Sequence, residues 1–558
     1  MRWFACRPDT ASFVCFLIAL IGALCSTLLH DYLALQLKAG ILSYAILDSP
    51  DAGSYSAFLD STDPNAGAVL STYYLYNVTN AEAVVNAGAR PHVVEIGPLR
   101  YNYRVTRHNV NWQNGDEEIV YNEYQRYVAM DDATRALELV PITNVHVLLL
   151  AALRSKQADF IPALFPWTKD PRAAFVTRPA RDWLWGYVEE RFDGLVPAFP
   201  GLQGNDTSLE AALLQHSPTR MATGSKRTEV AYDYLEFDGG VELFCCPNGV
   251  RGEAGAGLPC EPLWSGYDAS VVRGSYGNNF HPFVEPTETL WLATYPFGIY
   301  RAWPLQCSAS GGSGPGWLYE GSSLSASIGS CNSYDHEGIS LLRFTVPSYV
   351  LGNASVSIVE ARAYNITGAS GIIDVSACES DAPIVLSFPR FLQGSDSLRN
   401  AIDGLGSPTF EDHGSWVGVD PITGGVLDLV FRVGINGRIA PITADPFGKP
   451  YTYFGSIPET VFPLGWGEQV SGATPAQAVA FVQSVYTPLR GLAAARWGGA
   501  SLGVVALLAG VVCHVRARRR VPARSRDDED DASSYEPLSL QRTPQRRQRV
   551  GLLDNEVI

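Results

Sequence analysis

Three short arrangements in this 558-residue chain contain residue types that could do chemistry. Gly499-Ala500-Ser501-Leu502-Gly503 has the spacing of a nucleophile elbow, in which a serine sits exposed on a sharp strand-to-helix turn. Here it falls within an uncharged apolar run, residues 497–515, which offers no strand for the elbow to start from. The same spacing of small residues suits close helix packing. Asp335-His336-Glu337 and Glu411-Asp412-His413 set a histidine beside carboxylates, the ingredients of general acid–base work, but each is a local polar run and reads as a solvated turn. No HExxH pair is present to hold a metal, and Gly311-Gly312-Ser313-Gly314-Pro315-Gly316 lacks the lysine and helix of a phosphate loop. These patterns imply a protein that is not an enzyme, needs no cofactor or metal, and works by binding.

The candidate binding groups lie around residue 160. Phe160, Phe165 and Trp167 stand among Pro162 and Pro166, with Lys156 and Lys169 close by. Such an apolar surface rimmed by cations could receive a lipid carboxylate or an anionic particle; the alternative is that these aromatics pack beneath neighbouring helices. Charge gives weak support. Residues 150–227 hold ten Lys or Arg against eight Asp or Glu on a chain of net charge −16, so attraction there is modest at physiological salt. The acidic balance argues against nucleic acid as a partner.

Two apolar runs frame the rest. Residues 12–29 carry no charge and approach the length needed to span a bilayer; residues 497–515 form a second such run. Arg2 and Arg7 precede the first, and Arg516, Arg518, Arg519 and Arg520 follow the second. The positive-inside rule therefore places both termini in the cytoplasm. The expected organisation is a cytoplasmic tail (1–11), a transmembrane helix (12–29), a lumenal or extracellular ectodomain (30–496), a second transmembrane helix (497–515) and a disordered cytoplasmic tail (516–558). A cleaved signal peptide is the rival reading of the first run.

Two residue classes fit this topology. Glycosylation acceptor triplets occur at Asn77, Asn205, Asn353 and Asn365, all within residues 30–496. Cys245, Cys246, Cys260, Cys307, Cys331 and Cys378 lie there too, an even number suited to disulfides in an oxidising compartment. Six cysteines permit fifteen pairings, and spacing does not choose among them. Cys6 and Cys513, beside the cytoplasmic ends of the runs, are candidates for S-acylation.

The elements that position these groups are mainly strands. Residues 72–97 read as an aromatic strand broken at Asn77 and Asn80, one helical turn, and a returning strand. Asn114-Gly115, Asp238-Gly239 and Asn436-Gly437 are hairpin signals, because asparagine, aspartate and glycine tolerate positive φ. Alternation over 427–433 and 356–364 predicts half-buried strands. Helices are expected over 145–153, capped by Asn144 and ended by Pro162, over 180–191, and shortly after Ser208. Thr474-Pro475-Ala476-Gln477 is a capping-box start for a helix leading towards the second run.

Residues 72–97, TYYLYNVTNAEAVVNAGARPHVVEIG, resemble the opening of the class B scavenger receptor family, of the fatty acid translocase and lysosomal integral membrane protein type. LWGY at 184–187, FHPFVE at 280–285, GIIDVSAC at 371–378, SFPRFLQGSD at 387–396 and DPITGG at 420–425 are similar to further family motifs. The resemblance implies an α+β chain: a large antiparallel β-barrel-like ectodomain with a helical apex bundle at about 144–216, flanked by two transmembrane helices. It also implies a hydrophobic tunnel that carries fatty acids, sterols or lipids from lipoprotein-like particles towards the membrane. Cys378 matches a family cysteine, but no cysteine lies between 353 and 376, so the family disulfide pattern does not transfer. No histidine lies between His146 and His216, which removes the basis for a histidine pH sensor in the apex.

In the last segment, Tyr535-Glu536-Pro537-Leu538 has the tyrosine-x-x-bulky pattern that clathrin adaptors read, favouring an endosomal or lysosomal address over the plasma membrane. The residues leave two functions open: a lipid-transferring receptor, or a structural lysosomal or endosomal membrane glycoprotein or sorting receptor that holds a protein partner, in either case as a possible homo-oligomer.

Overall fold

The computed structural model describes residues 8–60, 68–154, 170–189, 194–196, 212–215, 218–236, 275, 277, 279–294, 301–307, 333–357, 366, 368–376, 382–444 and 451–519. The chain divides into two compact units, residues 30–494 and the paired terminal segments 1–29 and 495–558.

Helix α1 (Pro8–Ala45) opens the chain and a short α2 (Tyr55–Leu59) follows it. The strand, helix and strand expected over 72–97 then form as β1 (Ala68–Val78), α3 (Ala81–Ala87) and β2 (Val93–Gln113). Asn80 holds the turn by donating to the Arg90 carbonyl and accepting from the His92 amide. Asn114 and Gly115 both take positive φ and fold β2 back onto β3 (Glu118–Ala129).

Next come α4 (Asp132–Leu137), β4 (Pro141–Val145), α5 (Val147–Arg154), β5 (Phe175–Pro179), α6 (Ala180–Trp185), β6 (Tyr187–Glu189), β7 (Gly194–Val196), β8 (Ala212–Gln215), β9 (Thr219–Ala222) and β10 (Tyr234–Glu236). Within the stretch 144–216, where a helical bundle is expected, the described residues form short helices and hairpins. The β-branched run around Val176 and Thr177 pairs with β4. Helix α6 stops at Gly186, whose φ of 91° leaves the helical region, and β6 begins at once, so the helix expected over 180–191 is six residues long. The stretch after Ser208 supplies strand β8 rather than a helix.

The remaining strands are β11 (Leu290–Thr294), β12 (Arg301–Cys307), β13 (Ser333–His336), β14 (Ile339–Thr345), β15 (Ile373–Asp374) and β16 (Ile384–Ser387). Helices α7 (Asp396–Asn400) and α8 (Phe410–His413) precede β17 (Trp416–Val419), β18 (Val426–Ile439), β19 (Ile442–Ala444), β20 (Tyr451–Tyr453) and β21 (Thr460–Gly472). The capping box forms at Thr474 and starts α9 (Pro475–Phe481); a π-helical turn over Val482–Tyr486 joins it to α10 (Thr487–Arg519).

Fifteen strands make one large sheet: eleven run in the order β10-β9-β3-β2-β1-β21-β18-β17-β14-β12-β11, while β8 pairs with β3, β13 with β14, β16 with β18 and β15 with β16, all antiparallel. It is open, not the closed barrel expected: its end strands, β10 and β11, are short and do not pair with each other. Ser275 alone, among the described residues, bridges both, to Asp233 beside β10 and to Leu292 of β11.

Alternation builds the core on one face. Tyr73, Leu75, Leu99, Tyr101, Phe344, Val417, Val433 and Ile435 are buried in one continuous apolar cluster. Each such side chain is worth about 1.5–3 kcal/mol relative to exposure, so this face drives sheet formation. Asn436-Gly437 does not turn. It lies within β18 at a bulge against β21, and Asn436 donates to the Val385 carbonyl and the Ser387 hydroxyl of the neighbouring β16. The alternation expected over 356–364 begins in a turn at Val356 and then leaves the described residues, as does Asp238-Gly239.

Helix α1 contains residues 12–29 and α10 contains 497–515, and several side chains of both runs lie outside the described ones. Among the described residues no helix is long and apolar enough to cross a membrane.

Candidate functional site

The sheet's other face is polar, and register explains how. Tyr74 of β1 lies opposite Trp466 of β21, and Arg432 of β18 lies opposite Glu468. Arg432 Nε donates to Glu468 at 2.6 Å, while its Nη1 donates to the Glu411 and Gly414 carbonyls at 2.9 and 2.7 Å and so fastens α8 over the sheet. The ring of Trp416 has the Arg343 and Arg432 guanidiniums 4.2 and 5.3 Å from its centroid, and its Nε1 donates to Asp428 at 3.2 Å. At the other end Glu95 accepts from Trp466 Nε1 and from Arg390 Nη2, both at 3.0 Å. His413 sits under this layer, 4% exposed, instead of in a solvated turn. Its Nδ1 accepts from the Thr409 amide at 3.1 Å, and burial, reinforced by the nearby Arg390, pushes its pKa down. The neutral form of the ring is thus favoured, and the paired charges form a supporting wall over the sheet. Asp335-His336-Glu337 forms the β13–β14 turn, where Asp335 accepts from the Gly338 amide.

A second group of aromatics gathers on the core face of β1–β3. Trp185, from the LWGY stretch, stands edge-on to Tyr101 at 5.0 Å, with Tyr127 at 5.4 Å and Tyr73 at 6.2 Å. Tyr101 donates to Glu138 at 2.7 Å; burial, with that carboxylate, raises its pKa and keeps the phenol protonated. Asn144 does not cap α5. It is fully buried and donates to the Tyr76 and Pro463 carbonyls at 2.7 and 3.0 Å, clasping β4 to β1 and β21. The capping acceptor is His146, whose Nδ1 receives the Leu149 amide at 3.2 Å. Helix α5 ends at Arg154, and Phe160, Phe165, Trp167, Lys156 and Lys169, with Pro162, lie beyond it outside the described residues.

Within residues 30–494, side chains also hold the C-terminal end of α1 and the turn before α10. The Ala45 carbonyl accepts from the Tyr232 hydroxyl and the Leu47 carbonyl from Trp112 Nε1, at 2.6 and 2.7 Å. Burial raises Tyr232 to about 12. Asp420, fully buried in the DPITGG turn, accepts from the Thr423 amide and hydroxyl and from the Tyr486 hydroxyl just before α10. That turn needs Gly424: its φ is +75°, and a Cβ would lie 2.3 Å from the Phe280 and His281 carbonyls. Inside the β2–β3 hairpin, Arg107 and Glu123 form an ion pair at 2.8 Å with side chains 5% and 2% exposed, and Gln125 donates to Glu123. Sequence reasoning missed this pair, although both residues are in phase with the buried tyrosines of their strands.

Among the other sequence-predicted positions, Asn77 is half-buried at the end of β1, its Oδ1 accepting from the Thr143 amide at 2.8 Å. Asn353 donates to the Gly368 carbonyl and accepts from the Ser355 amide. Cys307 is disulfide-bonded, and Cys513 lies in α10. Asn205, Asn365, Cys245, Cys246, Cys260, Cys331, Cys378, Cys6, Tyr535 and Leu538 lie outside the described residues. Among the described residues no three His, Cys, Asp or Glu side chains group closely enough to hold a metal.

Comparison with known proteins matches a family model, described as CD36 family, to residues 15–314 and 323–514. Lysosome membrane protein 2 of Rattus norvegicus is 26% identical over 424 residues, covering 73% of this chain and 75% of the relative. Scavenger receptor class B member 1 of Sus scrofa is 24% identical over 524 residues, covering 91% and 89%. Sensory neuron membrane protein 2 of Heliothis virescens is 26% identical over 477 residues, covering 80% and 82%.

Proposed function

The chain belongs to the CD36 family, and from that premise we propose that it is a class B scavenger receptor-like membrane glycoprotein whose ectodomain binds lipid and passes it towards the bilayer through a hydrophobic passage. The observation that carries this reading is the family match across both halves of the chain, joined to a fifteen-stranded sheet with one continuous apolar face. A wide antiparallel wall of that kind suits a long apolar ligand, which needs area more than directional contacts. The cationic, aromatic stretch containing Lys156, Phe160, Phe165, Trp167 and Lys169 is the proposed point of capture.

The proposed topology has residues 12–29 and 497–515 crossing the membrane and both termini in the cytoplasm. Uncharged runs bounded by arginines support it, and so does the oxidised state of Cys307. Tyr535 and Leu538 are the proposed adaptor signal, which with the relative named Lysosome membrane protein 2 supports an endosomal or lysosomal address.

Extraction of the purified full-length protein followed by mass spectrometry tests the central claim. Fatty acids, sterols or their esters should co-purify in defined stoichiometry. Lipid no more abundant than in a detergent-matched membrane protein would leave a structural glycoprotein as the better reading.

A further inference from the structure

The exposed side of the β2–β3 hairpin carries a like-charge contact that folding alone does not favour. Arg104 of β2 and Arg126 of β3 are direct register partners, both exposed, and neither makes an ion pair or side-chain hydrogen bond among the described residues. Residues with this relation have Cβ atoms about 4.5–5.5 Å apart, and like charges so placed are destabilising. Cations are scarce here, since residues 30–496 hold 48 acidic side chains against 29 basic ones. Arg100 extends the row on the same face of β2, four residues or about 13 Å away.

Among the described residues, nearby acids leave the pair uncompensated. Glu123 points inward to Arg107, and Glu118 and Glu117, at and just before the start of β3, are taken by Arg220 and Lys226. Asp131 stands near Arg100, and Asp60 bridges the Thr106 backbone. On β2 and β3 the same face also carries Asn102, Thr106, His108, Asn122 and Tyr124, the His108 and Tyr124 rings meeting edge to face at 5.1 Å, and β8 pairs alongside with Leu213 opposite Arg126 and Gln215 opposite Tyr124.

We propose that Arg104 and Arg126 form the centre of a docking surface for a sulfated polysaccharide on the outer wall of the ectodomain. Forked guanidiniums match the planar oxygens of sulfate, while the amides, hydroxyl and aromatic edge around them suit sugar hydroxyls and ring faces. An anionic bilayer or particle would gain from a broad apolar surface, whereas amides, a hydroxyl and aromatic edges predominate on β2 and β3 around the pair, with Leu213 of β8 opposite Arg126 and Val128 and Leu70 beside Asn102. At physiological salt the screening length is about 8 Å, so a polyanion on this pair feels the two arginines more than the acidic remainder of the protein. The proposal rests on the reading that residues 30–496 face outward.

Binding of the full-length protein in detergent to immobilised heparin, eluted with a sodium chloride gradient, tests it. Wild-type protein should be retained at about 0.15 M salt. Arg104→Gln with Arg126→Gln should weaken binding by roughly tenfold or more, while Lys226→Gln, which removes a paired cation, should elute with wild type. The melting temperature of the double variant should hold or rise, because repulsion is removed, which separates lost binding from lost folding. Co-elution of the double variant with wild type would overturn the proposal. So would equal retention on desulfated heparin, on polyglutamate or on phosphatidylserine vesicles, the last two pointing to an acidic peptide or a lipid surface instead. Lipid content of the double variant should be unchanged. Wild-type protein that holds no lipid yet binds heparin would sink the lipid reading and leave this one standing.

Discussion

Tyr74 and Trp466 stack face to face across β1 and β21, their ring centroids 4.0 Å apart and their planes 9° from parallel. Nearly four hundred residues separate them, and their contact joins the first strand of the large sheet, in chain order, to its last. Trp466 also donates to Glu95, which Arg390 neutralises from the other side.

Two substitutions separate these contributions. Trp466→Phe keeps a ring on Tyr74 but removes the bond to a carboxylate, a loss of about 1.5–3 kcal/mol. Trp466→Leu removes the stack as well, adding about 0.5–1.5 kcal/mol. Thermal unfolding should rank wild type above phenylalanine and phenylalanine above leucine; equal melting of the two variants would mean the stack contributes nothing.

Asn144 supplies a second test, of the joint between β4 and the large sheet. Asn144→Ala strips the Tyr76 and Pro463 carbonyls of a buried donor and the Val145 amide of its acceptor, costing about 3 kcal/mol or more. Asn144→Asp, nearly identical in shape, sets an oxygen against those two carbonyls and buries a charge. It should be the less stable of the two in urea titration, and the reverse order would show that shape rather than hydrogen bonding holds the joint.

These residues mark how far sequence could be read. Where a feature depends on neighbours in the chain, it was legible: Asn114-Gly115 turns because both residues accept positive φ, and Thr474 caps because Gln477 is three residues on. Asn436-Gly437 is the same dipeptide as the first, yet it stays in a strand because β16 and β21 flank it and Asn436 spends its amide on β16. Asn144 has a good cap side chain, but two carbonyls brought in by other strands outbid the helix for it. The Arg432–Glu468 and Tyr74–Trp466 contacts are matters of register, which alternation within one strand does not specify. The Arg107–Glu123 pair was within reach, since a charge in phase with buried tyrosines needs a partner on the same face.

Acid should tighten the loop that leads into β11. His281 Nε2 lies 3.4 Å from Glu288, with Asp233 also near; burial alone would lower its pKa, but the Glu288 carboxylate and the Pro282 carbonyl outweigh it and raise the value. A histidine with a raised folded-state pKa contributes stability that is fully present below its unfolded value of about 6.5 and fades as pH rises through the folded value. His413, shifted down, acts oppositely and penalises the folded state as pH falls below about 6.5. His281→Gln should therefore lower the melting temperature more at pH 5 than at pH 8. An equal loss at both would show that protonation of His281 plays no part.

Asn353 allows glycan and fold to be separated. Its side chain bonds the Gly368 carbonyl and the Ser355 amide, whereas the Ser355 hydroxyl is needed only by the glycosylation machinery. Ser355→Ala should remove one endoglycosidase-sensitive glycan and leave the fold's hydrogen bonds intact. Asn353→Gln should remove the same glycan and also lower stability by about 1–2 kcal/mol, because both bonds depend on the shorter side chain. Matching losses of glycan with different melting temperatures would place this loop on the lumenal or extracellular side. A gel mobility unmoved by either substitution or by endoglycosidase would mean that Asn353 carries no glycan, and if Asn77→Gln were equally silent the proposed orientation of the whole ectodomain would fail with it.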